Sequence, residues 1–302
     1  MTFAKLCAVV DYRINGIWKL RVRRWPGLPR QQRHLVRARI IYKYAKSFLL
    51  DLNEINDGPV VHDDASEKIF TIWQQGEENA PELVKACFRS IRKNCKQELV
   101  VLDDNNLSEY IQLPSYVMEK YHAGKIGRAH FADICRVELL YKYGGYWADA
   151  TDFFTQPIPD WVKKHDFFMF LTGENTGSPY SFCQNCFIHA CRGAYLLAAW
   201  RAMIHRYWRE NDKPMDYFVH QLLFKTMVEN DPRAKKYFEM MAHVAQDNTH
   251  ILWRDFALAP FDEKLFAELT GHMDGFFQKT TYRDEAKSVP GCFIDAMINM
   301  NK

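Results

Sequence analysis

Short runs of consecutive aliphatic and aromatic residues alternate along this chain with longer stretches in which apolar positions recur every three or four residues. The first pattern marks buried strands and the second marks helices with one apolar face. Lys68-Ile69-Phe70-Thr71-Ile72-Trp73 predicts a strand that ends in Gln74-Gln75-Gly76. Pro81 then opens a helix at its first turn, with Val84, Cys87, Phe88 and Ile91 on the inner face. Glu98 to Leu102 predicts a second strand, closed by Asp103-Asp104-Asn105-Asn106. Strand, helix and strand within about 35 residues make a βαβ unit, with parallel strands and a right-handed crossover. Trp73 and Asp103/Asp104 then fall at the carboxyl edge of the sheet, where open α/β sheets collect ligands.

Further along, Pro114 to His122 predicts a short helix closed by Gly124, and Ala129 to Tyr143 a long one. Ile134, Val137, Leu140 and Tyr141 share one face of the long helix, while Asp133 and Arg136, at i and i+3, stand together on a neighbouring face. Gly144-Gly145 ends this helix, and Tyr146-Trp147-Ala148 runs as a strand into Asp149 and Asp152. Phe167 to Leu171 predicts another strand. Ala194 to Trp208 predicts a helix whose stripe of Leu197, Trp200, Ile204 and Trp208 reads as core, and Asp216 to Val228 a helix carrying His220. Residues 12–56 read as two helices with basic faces. Ile14, Ile17, Trp18 and Leu20 line the first, and Leu35, Val36, Ile40, Ile41, Tyr44, Phe48 and Leu49 the second, which starts near Arg33. These stripes suit a membrane interface, and they suit docking on the protein's own body equally well. The division expected is a basic helical extension over residues 1–66 and a catalytic α/β domain over 67–302.

Composition adds limits. The 302 residues are 48% hydrophobic and 15% aromatic, as in an ordinary folded globule. No apolar run approaches the roughly 18–20 residues of a membrane span. The apolar start, Met1 to Val10, is interrupted at Lys5 and is too short for a secretory signal. The net charge is +3, yet residues 1–48 carry 12 Lys+Arg against the single acid Asp11, leaving 28 Lys+Arg against 36 Asp+Glu in the remainder. A basic arm on an acidic body points to an anionic membrane surface or simply to a solvated extension, and the acidic body argues against nucleic acid. Eight cysteines, several in apolar contexts, read as reduced thiols in a cytosolic setting. Cys183-x-x-Cys186 with His189 and Cys191 is either a zinc site or a set of buried thiols, the second being the commoner outcome without another CxxC pair.

Aspartates at a strand end suit a divalent cation that bridges a diphosphate, as in transfer from a nucleotide sugar. Asp133 with Arg136 offers an acceptor and a forked donor suited to sugar hydroxyls, although such a pair is also an ordinary surface ion pair. Trp73 offers a face for a nucleobase. No Ser/His/Asp or Cys/His nucleophile arrangement stands out.

Ala132-Asp133-Ile134-Cys135-Arg136, Leu139-Leu140-Tyr141 and Gly144-Gly145-Tyr146-Trp147-Ala148-Asp149-Ala150-Thr151 together resemble the core signature of bacterial capsular polysaccharide synthesis proteins. These are relatives of glycosyltransferase family 32 and of glucosylating toxins with a DxD motif. The likeness extends to Ile69-Phe70-Thr71-Ile72-Trp73, to Asp216-Tyr217-Phe218-Val219-His220 and to Gln278-Lys279-Thr280, over about residues 67–282. It implies a GT-A-type, Rossmann-like α/β fold that binds a nucleotide sugar together with Mn²⁺ or Mg²⁺. It implies that Trp73 meets the base, Asp133 and Arg136 hold the donor sugar, and Asp149 contacts ribose, sugar or metal. Thr151 stands where DxD has its second acid, which leaves the metal to Asp149 with Asp152 or with a C-terminal group. Lys279 and Thr280 are candidates for the diphosphate, the lysine as a partial substitute for a cation, and both also fit a plain surface loop. His220 is either an acceptor-side or pyrophosphate contact or a core histidine. Relatives of this group are retaining enzymes, which implies the same here. The expected activity is retaining, metal-dependent sugar transfer to a polysaccharide or lipid-linked acceptor, in the cytoplasm or peripherally at the inner membrane face. A catalytically weakened scaffold that binds sugar nucleotides or glycans is the alternative.

Overall fold

The computed structural model describes residues 30–55, 60, 67–174 and 181–300. The first basic helix expected around Ile14 to Arg24, Cys7 and the turn at Asn56 to Pro59 lie outside the described residues.

The strands are β1 (Lys68–Ile72), β2 (Glu98–Leu102), β3 (Gly145–Ala148), β4 (Asp152–Phe154), β5 (Phe167–Leu171), β6 (Cys183–Ala190) and β7 (Phe277–Lys279). The helices that frame the site are α1 (Arg30–Ala45), α2 (Glu82–Asn94), α3 (Arg128–Tyr143), α4 (Tyr195–Glu210) and α5 (Val219–Asn230). Five strands form the central sheet in the order β2-β1-β3-β6-β5. β1 runs parallel to β2 and β3, while β6 is antiparallel to β3 and β5. The βαβ start and the α/β class are those expected. The antiparallel β6 was not, because Cys183-Gln184-Asn185-Cys186 holds no β-branched residue and reads as a thiol motif.

β1 and β3 sit inside the sheet with both faces covered, which is why neither alternates between apolar and polar. Gly144 and Gly145 take φ of 69° and 91°, which residues with a Cβ rarely adopt. The pair therefore lets the chain pass from α3 directly into β3. The helix expected from Asp216 begins only at Val219, because the Asp216 carboxylate accepts the Phe218 N–H (3.1 Å) and holds a turn there.

β4 and β7 form a separate antiparallel pair. Fully buried Phe276 and Phe277 seat it: Phe277 stacks on Phe154 at 5.5 Å, and Phe276 meets Phe187 of β6 edge-on at 5.1 Å. The described part of the N-terminal extension also belongs to the core. Ile40, Ile41, Tyr44, Phe48 and Leu52 are buried in the main cluster, and Tyr44 Oη donates to Glu210 of α4 at 2.6 Å. Arg233 donates to the carbonyls of Leu52 and Ile55. The stripe on α1 thus docks on the body, the second of the two roles its sequence allowed. No helix among the described residues is long and apolar enough to cross a membrane.

Cys183 and Cys186 lie buried on β6, and among the described residues no group of three or more His, Cys, Asp and Glu side chains is placed to hold a metal. Of the two readings of the CxxC pair, buried thiols fit. His189, on the same strand and 3% exposed, donates Nδ1–H to the Gly145 carbonyl at 3.1 Å. Burial pushes its pKa down to about 4, so the folded protein holds it neutral. The unfolded imidazole gains a proton near pH 6.5, whereas the folded one resists it, so stability present above about pH 6.5 is lost as pH falls toward 4. The expected loss is about 3 kcal/mol across that interval. Urea unfolding at about pH 7 and about pH 4.5 measures it, and an equal loss in a His189→Gln variant would show that another group is responsible.

Candidate functional site

Because β1 and β3 are parallel, the residues that follow them, Trp73 and Asp149, emerge at one edge of the sheet. The antiparallel β6 begins at that edge, and its Cys186 carbonyl accepts the Asp149 N–H at 2.8 Å. α3 passes beside the strand ends and brings Asp133 and Arg136 to the same place. These residues, with Lys279 from β7, line a cleft of about 520 Å³, a size usual for small-molecule sites.

A continuous polar network forms its floor. The Asp149 Oδ1 accepts from Arg136 Nη2 and from Trp147 Nε1, each at 2.9 Å, and Oδ2 accepts from Lys279 Nζ at 2.7 Å. Arg136 Nη1 stands 3.1 Å from Asp133 Oδ1 and also donates to the Asn185 carbonyl. Asp133 Oδ1 accepts from Asn185 Nδ2 at 2.9 Å, and Asn185 Oδ1 accepts from Gln221 Nε2 at 3.0 Å. On the far side Asp133 Oδ2 faces His220 Nδ1 at 3.1 Å. His220 Nε2 accepts the indole N–H of Trp208 at 2.8 Å, so in the neutral ring the proton sits on Nδ1, toward Asp133.

The electrostatics follow from this wiring. Burial pushes the Asp133 carboxyl up, but Arg136 and His220 more than reverse it and hold it well below the usual carboxylate range. Burial acts on Asp149 in the same sense, and Lys279 with Arg136 reverses it, so Asp149 stays charged. Asp152 is pushed up to about 7 by burial, with Lys279 opposing and Asp149 adding to the rise. Burial would lower Lys279, yet Asp149 and Asp152 raise it above the ordinary lysine range. Of the two carboxyls that share one ammonium, Asp149 keeps its charge.

Exposure separates the candidates. Asp149 has a side chain 28% exposed and faces the cleft, whereas that of Asp152 is 0% exposed and lies beneath it. Trp73 lines the cleft, with Tyr282 edge-on at 5.5 Å as a second aromatic wall. Arg136 is 4% exposed and spends its guanidinium on the network, so it positions the two carboxylates more than it presents itself to a ligand. Thr280 does not line the cleft: it is buried, and its hydroxyl donates to the Thr151 carbonyl at 2.8 Å. His220 is a core histidine, fully buried under Asp133. Asp103 turns its carboxylate into its own loop, accepting from the N–H groups of Asn105 and Asn106.

The pair expected to hold a divalent cation, Asp149 with Asp152, does not fit one in this arrangement. Lys279 Nζ already stands between them, 2.7 Å from Asp149 Oδ2 and 3.2 Å from Asp152 Oδ1. The other oxygen of Asp152 faces the Asp149 N–H at 3.1 Å. A doubly charged ion about 3.5 Å from that ammonium would be repelled by on the order of 10 kcal/mol at an effective dielectric of about 20.

Sequence reasoning missed Asn185, Gln221 and Tyr282 as parts of the site. Asn185 and Gln221 carry no motif spacing relative to Asp133 and are joined to it only by the antiparallel arrival of β6 and the packing of α5.

One solved structure, titled PaToxG Glycosyltransferase, is similar to the chain at 14% identity and a TM-score of 0.39, covering 68% of this chain and 84% of that one. No curated protein matches the chain. The family described as capsular polysaccharide synthesis protein matches residues 28–297, nearly the whole length. The chain belongs to the capsular polysaccharide synthesis protein family.

Proposed function

We propose that the protein is a glycosyltransferase of the GT-A type, which moves a sugar from a nucleoside diphosphate to a hydroxyl of a glycan or lipid-linked acceptor. The observation that carries this reading is the convergence of Trp73, Asp133, Arg136, Asp149 and Lys279 on one cleft at the carboxyl edge of parallel strands. Trp73 and Tyr282 provide faces for the base, Lys279 a cation for the diphosphate, and Asp149 a carboxylate for donor hydroxyls or for positive charge developing at the anomeric carbon. In the retaining course the C1–O bond to the diphosphate breaks and its electron pair stays on the phosphate oxygen. The acceptor hydroxyl bonds to C1 from the same face and gives its proton to that oxygen. No strong protein base is needed in this course. The basic residues of the N-terminal arm suit attachment to an anionic membrane surface, where lipid-linked acceptors reside.

The test is a panel of nucleotide sugars incubated with the full chain and read by release of nucleoside diphosphate. Turnover of at least one donor is expected. Trp73→Ala should weaken that donor's KM by about 5- to 150-fold, as loss of one stacking face worth about 1–3 kcal/mol predicts. Tight donor binding without release across the whole panel would instead favour the scaffold reading.

A further inference from the structure

We infer that Lys279 is a built-in cation: its ammonium takes the place between Asp149 and Asp152 that a divalent ion would occupy, so the site meets a diphosphate without metal. The inference rests on the reading of this cleft as a nucleotide-sugar site.

Three oxygens surround the lysine Nζ, as they would surround a metal ion. They are Asp149 Oδ2 at 2.7 Å, Thr151 Oγ1 at 2.9 Å and Asp152 Oδ1 at 3.2 Å. The ammonium donates to Asp149 Oδ2 and Thr151 Oγ1, and it forms an ion pair with Asp152 Oδ1, which has no other partner among the described residues. Thr151 is the residue that replaces the second acid of a DxD motif, and its neutral hydroxyl suits a singly charged partner. The lysine is also built in by backbone. β7 pairs with β4 in a register that sets Lys279 opposite Asp152. The Thr280 N–H closes the ladder on the Thr151 carbonyl at 2.8 Å, and buried Phe276 and Phe277 fix the strand. Among the described residues no third acid, imidazole or thiol joins the two aspartates in a metal-holding group. Asp152 explains itself on the same terms. Fully buried and out of reach of a ligand, it serves to hold the ammonium from below. The side chain of Lys279, 18% exposed, still reaches the cleft and can face the leaving phosphate oxygens as charge collects on them.

The decisive measurement is calorimetric titration of the full chain with MnCl₂. The native chain should take up no Mn²⁺ at low millimolar concentration. Lys279→Ala should gain one site, and adding Asp149→Asn should remove it. Lys279→Gln, which keeps most of the stem, replaces Lys279→Ala if that variant does not fold. A single Mn²⁺ site in the native chain that Asp149→Asn abolishes overturns the inference, as does a folded lysine variant that binds none. In parallel, UDP, GDP, CDP and ADP are titrated in chelator and in Mn²⁺. Native affinity should agree within about twofold between the two buffers, and strengthening by about tenfold or more in Mn²⁺ overturns the inference. If none of the four binds in either buffer, the nucleotide-sugar reading fails, while the MnCl₂ titration still decides the role of the lysine.

Discussion

Asp149→Asn should lower sugar transfer by about 10²- to 10³-fold while the chain still folds, because it removes a preorganised charge where the reaction develops charge of its own. Asp149 and Asp133 both line the cleft and stay ionised, and Asp149 is the more open of the two, its side chain 28% exposed against 12%. Asparagine keeps the shape, and its carbonyl can still accept from Arg136 and Trp147. It loses the charge that orients Lys279, now 2.7 Å away. Activity is read by nucleoside diphosphate release, and folding by the far-ultraviolet spectrum and the urea midpoint. Turnover within about threefold of native would remove Asp149 from the reaction, since a group that acts electrostatically cannot be neutralised so cheaply. Asp133 needs a gentler probe. Alanine there leaves the donors of Arg136, Asn185 and His220 facing an empty position, so lost activity would be inseparable from lost stability. Asp133→Asn is the informative change. It should cost less transfer than Asp149→Asn, because Asp133 is 9% exposed and works through Arg136.

What the sequence made legible was local. The βαβ start, α3, the glycine pair and the strand into Asp149 follow from periodicity and from residues with one dominant use, such as Gly144 and Gly145. Asp133, Arg136 and Asp149 could be chosen because the family resemblance falls on them, and all three lie within one short stretch, on a helix and strand joined without a loop. Long-range pairings were not legible. β4 and β7 are three residues each and lie far apart in sequence, so neither periodicity nor length marks them. Their register is what turns Lys279 from a loop lysine into the partner of two aspartates. The same blindness left Thr280 beside Lys279 as a diphosphate candidate or part of a plain loop. Lys279, at the end of β7, lines the cleft while its neighbour Thr280 is buried, and this could be read only once the strand was known to exist. Asp152 was taken for a ligand because it is an acid near Asp149. Its place opposite a lysine on a partner strand, beneath the floor of the cleft, has no signature in the chain order.

Arg136→Met should destabilise the fold by about 3–5 kcal/mol, the cost of breaking a buried ion network by removing one partner. That is a large part of the roughly 5–15 kcal/mol that holds a domain folded. Arg136 is 4% exposed and ties together Asp133 Oδ1 at 3.1 Å, Asp149 Oδ1 at 2.9 Å and the Asn185 carbonyl, with its guanidinium 4.9 Å over the Trp147 ring. Methionine fills much of the volume, so the loss reports charge and hydrogen bonds more than a cavity. Arg136→Lys keeps the charge but not the planar fork, and one ammonium cannot span all three acceptors, so about 1–3 kcal/mol should still be lost. The pH dependence separates this account from mere misfit. In the native chain Arg136 holds Asp133 below its ordinary pKa, so the contribution is present above the unfolded value and is lost as pH falls through the folded one. The methionine variant lacks that contribution at any pH. The stability gap between the two proteins should therefore be widest near neutral pH and should narrow below about pH 4. Urea midpoints at about pH 7 and about pH 3.5 measure it, and a gap that stays constant would assign the loss to packing.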